Sequence, residues 1–164
     1  MDPRTSDSSP FRVLFVCTGN TCRSPMAEAV ARKEVERRGW TRVEVASAGI
    51  AAADGSPASD GALRAVRSRG LDLGAHRSSH LTPELVGSAD LVLVMSTTHR
   101  MRVEDLGGEG RTHVLAAFAH DDPEFDGGIP DPFGGDDDVY GETLDAIEEL
   151  VVASLRRLEP ILTP

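Results

Sequence analysis

The sequence predicts a single α/β domain, a four-stranded parallel twisted sheet flanked by helices on both faces, and three observations carry that prediction. A chain of 164 residues suits one hydrophobic core and leaves no room for a second. Short, almost wholly apolar runs alternate with longer amphipathic ones, the pattern of strands buried on both faces and joined by crossover helices. With 40% hydrophobic and 27% charged residues, the composition is that of a folded, water-soluble domain.

Taken in order, residues 1–10 are rich in Asp, Ser and Pro with no apolar segment, so they are expected to form a disordered tail rather than a signal peptide or transit helix. The domain proper is expected over 11–164. Residues 11–16 are nearly all apolar and read as a central strand. The small and polar residues 17–24 end it, and Pro25 suits a first helical position, with Ser24 before it as the cap. That helix should run to Arg38 and stop at Gly39. A second strand is expected over 43–48, a Gly/Ala/Ser/Pro loop over 49–57 and a helix over 59–68. Residues 91–95 read as a third buried strand with a short helix on either side, and 113–115 as a short fourth. The Pro, Gly and Asp of 116–138 predict one long irregular loop, unusual enough in a small domain to suggest function. The last helix is expected from Tyr140, since Leu144, Ile147, Val151, Leu155 and Leu158 recur at helical spacing with Asp145, Glu148 and Glu149 facing away.

Charge excludes some functions. Against 17 basic residues stand 27 acidic ones, a net charge of -10 that disfavours nucleic acid as a partner. The acid is local: residues 112–155 hold 12 of the 27 acidic residues and no Lys or Arg. No apolar run is long enough to cross a bilayer. Two cysteines are too few for a disulfide scaffold, and without an export signal they are expected to be free, reactive thiols of a cytoplasmic protein.

The chemistry concentrates in Cys17-Thr18-Gly19-Asn20-Thr21-Cys22-Arg23-Ser24. A free cysteine at a strand end is most often a small buried hydrophobe, and an arginine near a helix start a solvated side chain. Here a strand before and a helix after set both in one frame. Backbone N–H groups of such a loop converge on an anion, and the helix dipole adds to them, so the segment reads as a phosphate-binding loop. Gly19 and Asn20 tolerate the left-handed conformations it requires. The Arg23 fork holds two phosphate oxygens, and the same field favours a Cys17 thiolate.

The segment VLFVCTGNTCRSPMAE over 13–28 closely resembles the phosphate-binding loop of the low-molecular-weight protein tyrosine phosphatase family. The resemblance continues at Ser47-Ala48-Gly49, His76-Arg77-Ser78, residues 89–96 and Asp131-Pro132-Phe133-Gly134, and so spans nearly the whole domain. It implies that Cys17 is the nucleophile, Arg23 binds the phosphoryl group and Ser24 donates to the thiolate. Asn20 then shapes the loop, helped by Ser47 and His76. On residue chemistry alone Asp131, before a proline in a Gly-rich segment, is a turn former. The resemblance makes it the proton donor to the leaving group and the later activator of water. Cys22 becomes a reversible disulfide partner for Cys17. The loop is most like the protein-arginine phosphatase branch, in which the threonine matching Thr21 goes with phosphoarginine. Phosphotyrosine is the competing substrate. Thr21 and Phe133 are the expected pocket residues, and the acidic stretch an expected wall favouring positively charged substrates.

The expected partners are phosphorylated proteins, with inorganic phosphate as product and competitive inhibitor, and the chain is expected to be a monomer. No cofactor or metal is expected. Asp121, Asp122 and residues 136–138, even with His120, lack calcium-loop spacing, and His76 with His80 lacks a third ligand. An arsenate reductase of the same fold is disfavoured because no cysteine follows Cys22, and a P-loop nucleotidase because no Gly-Lys-Ser/Thr follows the loop.

Overall fold

A computed structural model describes residues 9–125 and 127–162. Most of the expected tail therefore lies outside the described residues. Strands β1 (Phe11–Cys17), β2 (Val43–Gly49), β3 (Leu91–Val94) and β4 (Thr112–Val114) form one sheet in the order β2-β1-β3-β4, and every neighbouring pair is parallel. Alternation along the strands divides the interior. Val13, Phe15 and Cys17 of β1 and Leu91 and Leu93 of β3 join one apolar cluster, while Leu14, Val16, Val92 and Val94 join the other.

The first cluster is covered by α1 (Arg23–Arg38), α2 (Asp60–Arg67) and α6 (Asp137–Leu162), through residues such as Met26, Val30, Val66, Leu144, Ile147, Val151, Leu155 and Leu158. On the opposite face α3 (Pro83–Ser88) and α4 (Thr97–Val103) bury Val86 and Val103. Helices thus lie on both faces, as the apolar strands require. Among the described residues no helix is long and apolar enough to cross a membrane.

Most ends lie within a residue of the sequence reading, as for β4, which spans Thr112–Val114 rather than 113–115, and three differ by more. Helix α1 begins at Arg23, with Cys22 at the cap position and no side-chain cap bond, so Ser24 is not the cap. Its hydroxyl is engaged elsewhere, in the loop. Residues 116–138 are not one irregular segment: α5 (Leu115–His120) opens it, burying Leu115, Ala116 and Ala117, and the left-handed Asp121 ends it. Finally, α6 starts at Asp137, because Asp136 accepts the Val139 N–H at 3.0 Å and so caps it. Asp137 and Asp138 then lie in its first turn, where carboxylates suit the helix dipole.

In this strand order the connections leave β1 and β3 in opposite directions. The crevice beyond their C-terminal ends is where open parallel sheets place ligands. Residues 17–24 follow β1 into that crevice, and Ser96 and α4 follow β3.

Candidate active site

The loop after β1 is tied down by its carbonyls. Cys17 O accepts from Ile50 N at 3.0 Å, Thr18 O from Ala51 N at 2.9 Å, Asn20 O from His76 Nε2 at 2.8 Å and Thr21 O from Ser59 N at 2.9 Å. In a planar trans peptide the N–H points opposite to the C=O, so the N–H groups of Thr18, Gly19, Thr21 and Cys22 turn away from these partners, toward the inside of the loop. Such a ring of N–H groups next to the start of α1 has the chemistry to receive an anion.

Asn20 organises the loop. It is fully buried with φ of 57°, and its Nδ2 donates to Ser24 Oγ at 2.8 Å and to Ser47 Oγ at 2.9 Å. Its Oδ1 accepts from Ser79 N at 2.8 Å. The Ser47 hydroxyl in turn donates to Glu28 Oε1 at 2.7 Å. Ser24 Oγ already accepts from Asn20, so its proton is free for Cys17 Sγ at 2.9 Å; the alternative acceptor, Ala48 O, is more distant at 3.4 Å. With the amide on Ser24 Oγ, the buried sulfur is the nearer partner for the hydroxyl proton.

Arg23 is 6% exposed, with its guanidinium at the other side of the loop. Nη1 donates to Ile129 O at 2.9 Å and Nη2 to Thr18 Oγ1 at 3.4 Å, whereas the buried Nε has no acceptor among the described residues. An orphaned buried donor is costly unless a ligand takes it, and a phosphate oxygen is the acceptor whose charge and geometry fit. Asp131 stands beside it, Oδ2 3.8 Å from Arg23 Nη2 and Oδ1 accepting from Phe133 N at 3.1 Å. Phe133 itself is 73% exposed, an apolar ring on the surface next to the carboxylate.

The structure thus brings Cys17, Asn20, Ser24, Ser47 and His76 into one network, and Arg23, Thr18 and Asp131 into another. Cys22 faces a third set of partners. Its Sγ lies 3.2 Å from Ser59 Oγ and 3.4 Å from Tyr140 OH, and both thiols are free. Burial and the neighbouring Cys22 push the Tyr140 phenol up. Thr21 is half-buried on the loop, its hydroxyl 3.8 Å from Cys22 Sγ.

Among the described residues no group of three or more His, Cys, Asp or Glu is placed to hold a metal. His80 lies over Ala52 O at 3.1 Å, and His120 stacks on Phe125 with ring centroids 4.9 Å apart.

One residue escaped the sequence reading. His99, in the first turn of α4 and 3% exposed, sets Nε2 2.9 Å from Thr18 Oγ1 and Nδ1 3.0 Å from Ser96 Oγ. Burial, reinforced by Arg23 and opposed by Asp131, holds its imidazole down at about 4, so it is neutral at pH 7. The only local signal was the Ser96-x-x-His99 spacing at a helix start directly after a buried strand.

Comparisons with known proteins agree with this geometry. The family model for low molecular weight phosphotyrosine protein phosphatase matches residues 12–160. The protein-arginine-phosphatase of Geobacillus stearothermophilus is 41% identical over 152 residues, which is 92% of this chain and 97% of that protein. That of Bacillus subtilis (strain 168) is 41% identical over 147 residues, 90% of this chain and 96% of the relative. A solved structure of the YwlE arginine phosphatase, a cysteine-to-serine mutant with a phosphorylated active-site serine, superposes with a TM-score of 0.84 at 38% identity, covering 91% of this chain and 96% of that one. With loop, sheet order and near full-length similarity all in accord, the chain belongs to the low molecular weight phosphotyrosine protein phosphatase family.

Proposed function

We propose that this chain is a protein-arginine phosphatase working through a phosphocysteine. The observation that carries the chemistry is the buried Cys17 sulfur with a hydroxyl proton directed at it by Asn20 and Ser24. Cys17 attacks phosphorus as the P–N bond to the substrate guanidine breaks, and Asp131 gives its proton to the departing nitrogen. Arg23 and the loop N–H groups carry the charge on the phosphoryl oxygens throughout. Asp131, now a carboxylate, takes a proton from water as the water attacks the phosphocysteine. Inorganic phosphate leaves and the thiolate is restored. The product competes for the same cradle.

For phosphoarginine over phosphotyrosine, two features speak. The relatives at 41% identity carry the arginine-phosphatase name, and Thr21 gives the loop a half-buried polar side chain suited to a planar, positively charged guanidinium. Two free thiols suit a reducing compartment, and we place the enzyme in the cytoplasm, acting as a monomer with one catalytic domain over 11–164. Peroxide oxidation of Cys17 to the sulfenic acid lets Cys22 condense with it to a disulfide, releasing water and protecting the nucleophile.

Turnover of a phosphoarginine protein and of a phosphotyrosine peptide, by wild type and Thr21→Ile, tests the substrate. The wild type should prefer phosphoarginine, and the substitution should move the preference toward phosphotyrosine by roughly tenfold or more. A wild-type preference for the tyrosine peptide would overturn the reading.

A further inference from the structure

Ser96, His99, Thr18 and Arg23 form a hydrogen-bonded line from the end of β3 to the loop after β1, and the direction of each proton in it follows from the contacts. Ser96 Oγ accepts the His99 backbone N–H at 3.3 Å, and the protein acceptor within reach of its own proton is His99 Nδ1 at 3.0 Å. An imidazole that accepts at Nδ1 and is neutral carries its proton on Nε2. That proton goes to Thr18 Oγ1 at 2.9 Å. Thr18 Oγ1 also takes Arg23 Nη2 at 3.4 Å, so its two acceptor positions are filled and its single hydroxyl proton is left to point outward, toward the loop's open side.

We propose that His99 is a positioning residue of the phosphatase: through Thr18 it locks one arm of the Arg23 guanidinium and turns the Thr18 hydroxyl into a donor to the phosphoryl group. This rests on the reading of Arg23 as the phosphoryl-binding residue. The Arg23 fork has two other anchors, Ile129 O on Nη1 and Asp131 at 3.8 Å on Nη2, and neither fixes the plane of Nη2. With Thr18 in place, Nε is the guanidinium nitrogen with no partner among the described residues, and it is open to a phosphate oxygen together with the second N–H of an Nη. Neutrality is part of the device. A charged His99 would donate from both nitrogens, meet the Ser96 proton at Nδ1 and set a second cation beside Arg23; burial and Arg23 prevent this.

The test compares wild type, His99→Ala, His99→Gln, Thr18→Val and the double variant His99→Ala/Thr18→Val, in inorganic phosphate binding by calorimetry and in steady-state turnover. His99→Ala and Thr18→Val should each weaken phosphate binding and lower kcat about tenfold, the size expected for one hydrogen bond to a charged partner. The double variant should be no worse than either single, since both remove the same link. His99→Gln, whose amide can place an N–H near the position of Nε2, should recover most of the loss. Additive losses in the double variant, or a His99→Gln protein as impaired as His99→Ala, would overturn the proposal. Thr18 is exposed, so Thr18→Val keeps the test open if His99→Ala does not fold. Phosphate binding is read without any substrate. An enzyme that turns over neither phosphoprotein yet shows the coupled loss in phosphate affinity would refute the proposed function and leave the His99 link standing.

Discussion

Asp131 is held in place mainly by its neighbours' backbone. Two residues earlier, Ile129 donates its N–H to Met95 O just past the third strand and accepts from Arg23 Nη1, so one residue pins the segment to both the sheet and the Arg23 side chain. Gly128 lies against the same Met95 carbonyl, where a Cβ would come within 3.0 Å. The carboxylate is then steered by one bond, from Phe133 N to Oδ1, which leaves Oδ2 beside Arg23. A group anchored this way can lose its acidity without losing its place. Asp131→Asn should therefore fold and bind phosphate like the wild type. It should slow hydrolysis of an ester with a poor leaving group by about a hundredfold or more, and an activated aryl phosphate far less. Turnover of the two substrates measured side by side checks this; equal slowing of both would place the proton donor elsewhere. Phosphoarginine should fall between them, because its P–N bond already cleaves readily once the nitrogen is protonated.

At the scale of elements, the loop after β1 depends on the end of β2 as much as on β1. A Cβ on Gly49 would lie 2.5 Å from Thr18 O and 2.9 Å from Asn20 N, both backbone atoms of the loop. Neither can retreat without releasing the Ala51 and Ser24 partners that shape the cradle. Gly49→Ala should cost about 1–3 kcal/mol of stability and reduce phosphate affinity at least tenfold, seen as a lower urea midpoint and a weaker calorimetric signal. Unchanged affinity would mean that the loop holds its shape independently of β2. Elements of this kind were legible where pattern is strong. Strands β1 and β3 stood out as apolar runs, and α6 by its buried stripe from Leu144 to Leu158. The six-residue α5 did not, because a helix under two turns shows no periodicity and its Leu-Ala-Ala-Phe-Ala-His run is followed by Asp, Pro and Gly that dominate any window. Within the site, Cys17, Arg23 and Ser24 were legible because they share one short segment. His99 was not, since its partner Thr18 is 81 residues away and the two meet only because β1 and β3 are neighbours at the switch in strand direction.

Over the whole molecule the net charge of -10 stands, but part of the acidic stretch is paired locally. Arginines from outside the acidic stretch reach into it: Arg64 to Asp137, Arg69 to Asp145 and Glu148, and Arg23 to Asp131. Arg157, just past its end, reaches back to Asp121. The acid therefore ties α6 to α2 and to the loops on its flank, and the exposed pairs among these, all but Arg23 with Asp131, contribute little each. The pH dependence of folding rests instead on groups whose protonation differs between folded and unfolded chains. Burial lowers His99 to about 4 from 6.5 and also lowers His113, in each case with nearby arginines adding to it. Unfolded, both histidines bind protons near 6.5, so below that pH the unfolded chain holds more protons than the folded one, and stability falls as pH falls. The histidine contribution is complete above about 6.5 and is lost as the pH drops toward and through 4. Glu34, pulled below 4.5 by its hydrogen bonds to Arg37 and Arg38, acts in the same sense lower down, stabilising above 4.5 and failing as pH descends through its folded value. Urea midpoints should accordingly be level between pH 7 and 8, then decline steadily from pH 6.5 to 4. In His99→Gln the decline between 6.5 and 4 should be shallower, with the His113 component remaining. A wild-type midpoint that holds constant from pH 7 to 5 would show that His99 takes up its proton without opposing the fold. Its neutrality would then play no part in keeping the Arg23 side of the site in order.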